Sequence, residues 1–390
     1  MEGVSGGHRL ERRHDLDWLR ILAVLLLVPF HSALIFSLDP NDIVYVKDVI
    51  ESSLLVELAG FVHLWHMPLL FVISGMGTWY ALRFRTAGQY LQERFLRLAV
   101  PLVFGFSVLV PPMVYLYRVS VGDGEVFWQF YPRFFAVNWD DLSGRSGSFT
   151  VGHLWFILFL FVYSLVALPL FLALRRASGR RLIDRLATLS ERPGVIILLF
   201  VPLAIVAPLL DLGGMPVLFY LLLFIAGYIL AADARFERVI ERYTTAGLVI
   251  GIVTAVVIVT VSVTRVLLDT AVGTAVVHSV YYLGRWSWVI ALLGLGRRHL
   301  SRDSRLLRYL SEASYPLYIL HLLINTAVGY VVVQWQASIA VKYLAINAVT
   351  FALMFVVYEA LIRRLGVLRV LFGLKLRRRE PAAAPQRGEG

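Results

Sequence analysis

In the stretch LDWLRILAVLLLVPFHSALIF, which begins at Leu16, an aspartate and an arginine open an apolar run and a histidine sits deep inside it. Asp17 and Arg20 are three residues apart and can pair on one helical face, as structural anchors do. His31 follows Arg20 by eleven residues, which on a 3.6-residue period returns it to nearly the same face. At 1.5 Å per residue it lies roughly 16 Å further along. The next apolar run, ELAGFVHLWHMPLLFVISG, carries His63 and His66 three apart, with His63 at about the depth of His31. GHLWF puts His153 and Trp155 at the start of a later run, and His278 and His321 fall inside two more. An imidazole of ordinary pKa, near 6.5, can take a hydroxyl proton at neutral pH, so these residues could serve general-base chemistry. Singly, each could equally hydrogen-bond a neighbouring helix. His-x-x-His can also hold a metal on a helix, but no carboxylate or thiolate shell accompanies it and the chain has no cysteine, so no metal is expected.

Arginines supply the complementary chemistry. Arg94 and Arg97, in QERFLRLAVP, lie three apart at the start of a run, where two guanidinium groups on one face suit a phosphate-bearing ligand or simple anchoring. Arg285, in YYLGRWSWV, falls within an apolar run and needs a cavity or a partner. It could extend a phosphate-binding route or pair with Glu312 or Glu359.

The elements that must position these groups follow from composition. Of 390 residues, 59% are hydrophobic and only 16% charged, with a mean hydropathy of +0.74, against about 25% charged in a soluble domain. About ten runs are long enough to cross a bilayer, near 16–38, 54–82, 98–119, 151–174, 194–210, 215–232, 244–268, 271–296, 310–333 and 341–362. The fold class is therefore an all-α polytopic membrane protein. Basic residues crowd alternate connections: Arg9, Arg12 and Arg13, then 83–97, 175–192, 235–242, 297–308 and Arg377–Arg379. The first intervening loop is acidic, with Asp39, Asp42, Asp48 and Glu51. The alternation places both termini in the cytoplasm. It also explains the net charge of +11 without nucleic acid.

Residues 1–15 form a cytoplasmic N-terminal segment, 16–362 a transmembrane domain, and 363–390 a basic, disordered tail. The first run is longer than a signal-peptide core and is taken as a retained helix. A loop near 120–150 is rich in aromatics, including Trp128, Phe130, Tyr131, Phe134, Phe135 and Trp139. It suits an interfacial segment, or a cover over an outward-facing site.

The ordered set of Arg20 followed by His31, FVISG at 71–75, Arg94-x-x-Arg97, HLWF at 153–156 and SYPLYILH at 314–321 resembles the acyltransferase-3 family. Those membrane enzymes O-acylate extracytoplasmic carbohydrates, and PFHSALIFS, FVHLWHMPLLFVISG and GHLWFILFL are most similar to the branch that succinylates periplasmic glucans. The resemblance implies that His31 is the catalytic histidine and that Arg94 and Arg97 bind the acyl-CoA donor, and His63, His153, Trp155 and His321 fall at matching motif positions. From the residues themselves, Arg285 could extend the donor route, His63 is a second catalytic candidate that could orient His31 or stabilise developing charge, and Arg20, Asp17, His66, His153, Trp155 and His321 are candidates to support the site or substrate. The donor would be acetyl-CoA or succinyl-CoA, with no permanently bound cofactor, and the acceptor a glycan or glycolipid at the cell (inner) membrane. Self-association into a homo-oligomer stays open. A succinyl carboxylate would want a cation, for which Arg118 and Arg265 are candidates. A transporter or flippase of a glycolipid or anionic solute would also account for the spans and buried charges.

Overall fold

Where a backbone enters hydrocarbon, only its own N–H and C=O groups can satisfy one another, so apolar runs close into helices. The computed structural model describes residues 13–37, 45–139, 141–264, 266 and 268–376. Its helices, in chain order, are α1 (His14–Leu25), α2 (Leu27–Leu34), α3 (Ser53–Phe84), α4 (Ala87–Arg94), α5 (Val100–Phe104) and α6 (Val110–Ser120). There follow α7 (Phe127–Phe134), α8 (Trp155–Val166), α9 (Leu168–Leu174), α10 (Ala177–Ser190), α11 (Val195–Leu198) and α12 (Phe200–Val206). The last six are α13 (Val217–Leu230), α14 (Ala234–Thr264), α15 (Ala271–His299), α16 (Arg305–Val332), α17 (Ile339–Val357) and α18 (Gly366–Leu371). A two-stranded hairpin, Asp211–Leu212 against Met215–Pro216, precedes α13. Arg9, Arg12, Asp39, Asp42, Arg265 and the tail from Arg377 lie outside the described residues.

All ten apolar runs fall on helices, but fewer meet a strict test of length and apolarity. Six do: His14–Leu34, Ser53–Phe84, Ala87–Ser120, Ala234–Thr264, Arg305–Val332 and Ile339–Ile362. Two bent pairs raise the number to eight, α8 with α9 at 49° and α10 with α11–α12 at 117°. The remaining two runs lie on α13, with 14 residues, and on α15, whose 29 residues include His278, Arg285, Arg297 and Arg298. The sharper bend has a sequence cause. The basic segment expected as a loop at 175–192 folds as the amphipathic α10, which buries Ile183 and Ala187 and turns its arginines out.

Three prolines show how this bundle joins its helices. Proline has no N–H, so the carbonyl four residues before it is left open. The carbonyl of Leu64, four before Pro68, accepts from Arg285 Nε at 3.2 Å. That of Arg97, before Pro101, accepts from the Tyr315 hydroxyl at 2.7 Å. That of Ala204, before Pro208, accepts from His278 Nε2 at 2.9 Å. Each freed group thus becomes a tie between distant helices. α3 and α13 approach closely through glycines: a Cβ on Gly75 would lie 2.0 Å from the Phe224 oxygen, and one on Gly227 2.1 Å from that of Val72. At one rim of the bundle Lys342 Nζ reaches Asp48 Oδ2 at 2.6 Å, both side chains buried, while Asp48 N–H donates to Ile35 just beyond α2.

The expected tail is in part ordered: α18 packs back on the bundle, and Arg369 is held to Glu312 at 2.9 Å. The aromatic loop carries α7, which buries Phe130 and Phe134 and leaves Trp128 and Trp139 largely exposed. None of its residues lines the histidine-bearing cavity described below, so it does not cover that site.

Candidate active site

Two polar residues register α2 against α16. Ser32 follows His31, Asn325 lies one turn beyond His321, and Asn325 Nδ2 donates to Ser32 Oγ at 2.7 Å in a fully buried contact. With that register set, the His31 and His321 rings lie 5.1 Å apart between centroids. His153, at the mouth of α8, stands edge-on to His321 at 5.0 Å. Three imidazoles from three distant parts of the chain therefore form one row.

Hydrogen bonds fix how these rings can act. A carbonyl only accepts, so a ring nitrogen facing one must carry the proton, and the other nitrogen of a neutral ring is bare. His153 Nε2 faces the Ile319 carbonyl at 2.9 Å, and its buried Nδ1 has no protein partner. His321 Nδ1 faces the Tyr318 carbonyl, and its buried Nε2 likewise has none. His321 thus keeps a bare Nε2, and the neighbouring His31 has a buried, unpartnered Nδ1. His66 is pinned to its helix through Nδ1 and the Val62 carbonyl at 3.0 Å. His63 is exposed to the cavity, and Phe30 stands against it, 6.3 Å between rings. The imidazole in contact with His31 among the described residues is His321, whereas His63, expected as its neighbour, makes its ring contacts with Phe30 and His66.

These histidines border a cavity of about 450 Å³ that Trp155, Tyr220 and Tyr281 complete. Below it lies a second cavity, of about 850 Å³, which gathers Arg20, Arg94 and Arg97 with Asp17. Arg85, Arg308, Arg369 and Lys375 join them, giving seven cations against the three acids Asp17, Glu93 and Glu312. Each acid already faces an arginine: Asp17 meets Arg20 at 2.8 Å, Glu93 meets Arg85 at 2.8 Å, and Glu312 meets Arg369. Arg94 has no carboxylate among the described residues. It touches Thr78 Oγ1 at 3.3 Å and lies over the Tyr90 ring. The excess charge makes this cavity suited to a polyanion.

Among the described residues, Tyr318 alone lines both cavities. Its hydroxyl donates to the His153 carbonyl at 2.5 Å, which holds the ring between the two spaces.

Arg285 is placed differently from its expected role. It does not line the arginine cavity, and it pairs with neither Glu312 nor Glu359, which are taken by Arg369 and Arg363. The guanidinium is buried behind Tyr220 and Tyr281, bonded to Leu64 O and, at 3.1 Å, to the Tyr220 hydroxyl. It lies 4.7 Å from the Phe219 ring centre and 5.0 Å from that of Tyr281, so aromatic faces replace a counter-ion. Arg118, near the end of α6, bonds Asp123 and the Ser146 carbonyl of the aromatic loop and lines neither cavity. His278 stays outside both cavities. Sequence reasoning missed Tyr318 and Tyr220 as walls and Lys375 as a cavity cation. Tyr318 lay within SYPLYILH, one turn from His321, and that spacing was the available signal.

Residues 13–359 match the model of an acyltransferase domain, acyltransferase-3. The chain is also similar to glucans biosynthesis protein C of Escherichia coli strains K12, SMS-3-5 and O1:K1 / APEC. Each is 25% identical over 167 residues, 42% of this chain and 40% of the relative. The match thus spans two fifths of the relatives' length. No solved structure matches.

Proposed function

This chain belongs to the acyltransferase-3 family and is a membrane acyltransferase, and from that premise we propose that it moves an acetyl or succinyl group from acyl-CoA to a hydroxyl of an extracytoplasmic carbohydrate. The donor's phosphates occupy the arginine cavity, held by Arg94, Arg97 and Arg20, with Lys375 at its edge. The thioester reaches past Tyr318 to His31. The acceptor hydroxyl enters the histidine cavity from the other side.

In the direct route His31 takes the hydroxyl proton as the oxygen attacks the thioester carbon. The C–S bond breaks, the C–O ester bond forms, and the proton passes from His31 to the departing thiolate, giving free CoA. In the two-step route His31 first carries the acyl group on nitrogen and then yields it to the acceptor. Both need a correctly oriented neutral imidazole. The bare Nε2 of His321 gives His31 a neighbour that can accept an N–H from its Nδ1 and so leave its Nε2 bare as the base, with His153 supporting His321 in turn. The arginine end faces the cytoplasm of the inner membrane, ten spans cross it, and both termini lie on that side, following the positive-inside rule.

The observation that supports this reading best is the meeting of a polyanion-suited cavity and a histidine cavity at one residue, Tyr318. The test is release of free CoA and formation of an ester by purified protein in lipid, with acetyl-CoA and succinyl-CoA compared and envelope glycan as acceptor. His31-dependent release with one donor names the acyl group. Folded protein that releases CoA with neither donor in the presence of acceptor moves the assignment to a transporter or flippase.

A further inference from the structure

The histidine cavity has a side opening in the wall of the bundle. α14 is the most apolar of the long helices, and only 28% of its spanning window is buried within the protein, so its outer flank faces lipid. From it Ala255, Ile258 and Val259 border the cavity. On α3 the cavity is bordered by Val56, Gly60 and Phe61, within two turns of His63. His63, which lines the same cavity, is exposed. The hairpin turn at Gly213 and Gly214 borders another side of the same cavity. The gap is apolar along its length and polar at its rim, where Ser262 Oγ donates to Glu57 Oε1 at 3.4 Å. Gly60 is exposed, and a Cβ added there would meet nothing within 4 Å, so the cleft between the two helices is open at that point.

A cleft of this kind joins a site of polar chemistry to the hydrocarbon of the bilayer. A free sugar has no use for its apolar walls, whereas a sugar bearing a hydrocarbon chain matches both parts. We propose that the acceptor is a glycolipid that enters sideways between α3 and α14. Its chain lies against Gly60, Phe61, Ile258 and Val259, its headgroup passes Glu57 and Ser262, and its hydroxyl meets His31. The proposal rests on the acyl-transfer reading and names the acceptor class for it. The ester forms between the donor's acyl carbon and the glycolipid oxygen, and the hydroxyl proton leaves with CoA as its thiol.

The experiment uses full-length protein in nanodiscs of phosphatidylcholine with glucosyl diacylglycerol, and a photoreactive amino acid at Ile258 or, as a control, at Val249. Val249 lies nine residues away on the opposite face of α14 and is 55% exposed. At Ile258 the ratio of captured glycolipid to phosphatidylcholine should exceed that at Val249 by about tenfold, a preference of about 1.4 kcal/mol. Gly60→Phe, whose Cβ meets nothing within 4 Å and whose ring is placed to block the cleft, should return the Ile258 ratio to that of Val249. Equal ratios at the two positions in otherwise unsubstituted protein overturn the proposal, as does an Ile258 ratio untouched by Gly60→Phe. CoA release in the same discs separates the two readings. Release driven by glucose oligosaccharide with no selective capture overturns the side entry and spares acyl transfer. Selective capture with CoA release driven by neither acceptor overturns acyl transfer and leaves a glycolipid site, and selective capture with release driven by the oligosaccharide alone overturns the glycolipid as acceptor.

Discussion

Replacing Gly75 by alanine perturbs the site without removing any polar side chain. The new Cβ would stand 2.0 Å from the Phe224 carbonyl oxygen, where ordinary contact begins at 3.4 Å. The obstacle is backbone, so no side chain can rotate away, and α3 and α13 must part locally by about 1.4 Å. One turn before Phe224 on α13 is Tyr220, whose ring stacks on Phe71 at 4.7 Å and meets Trp155 at 5.3 Å. Its hydroxyl holds Arg285 at 3.1 Å, a bond that does not survive a displacement of that size. Overpacking of this kind costs about 1–3 kcal/mol, and a displacement of about 1 Å in a catalytic wall can cost about 10²-fold in rate. Thermal unfolding followed by tryptophan fluorescence, and CoA release at saturating donor, should therefore both fall. Gly227→Ala should do the same through Val72. The double variant should cost less than the sum of the two, because the first separation makes room for the second methyl. Unfolding and turnover at wild-type values in Gly75→Ala would refute the reasoning.

Three further outcomes are expected. Arg94→Ala with Arg97→Ala should raise KM for acyl-CoA by about 10- to 100-fold, the loss of charged hydrogen bonds worth about 1.5–3 kcal/mol, and the rise should shrink with a dephosphorylated donor. Lys342→Met should destabilise the fold by about 3–5 kcal/mol by stranding Asp48 in a buried site, and Asp48→Leu in the same chain should recover most of the loss, both seen in thermal unfolding. Asn325→Leu releases Ser32 and loosens the register that brings His31 to His321, so kcat should fall at least about tenfold while KM for the donor stays near wild type.

How much of this was legible in the sequence depended on distance along the chain. Apolar runs, basic connections and the three-residue spacing of Arg94 and Arg97 are local signals, and they located the helices and one wall of the arginine cavity. His31 and His321 are 290 residues apart, and their contact depends on Asn325 meeting Ser32, which no periodicity reveals. His63 looked like the partner of His31 because it shares its depth, but depth says nothing about rotation, and the ring of His63 stacks with Phe30 instead. Arg285 was expected to seek a carboxylate or phosphate. Its setting is instead built from aromatic faces and from a carbonyl that Pro68 leaves open, a pairing legible only once α3 and α15 are seen side by side. Lys375 and Arg369 fell in a segment whose composition reads as disorder, yet Arg369 finds Glu312 and closes the arginine cavity.

The central claim is that a donor held at the arginine end serves an acceptor at the histidine end through His31. Sealed vesicles holding purified protein, with labelled acyl-CoA on one side and glycan acceptor on the other, test it most directly. The account predicts ester only where donor faces the arginine end and acceptor the histidine end, with free CoA left on the donor side. His31→Ala should lower the rate by at least about 10²-fold in folded protein. Ester formed on the donor's own side, or a folded His31→Ala variant with wild-type turnover, would contradict it.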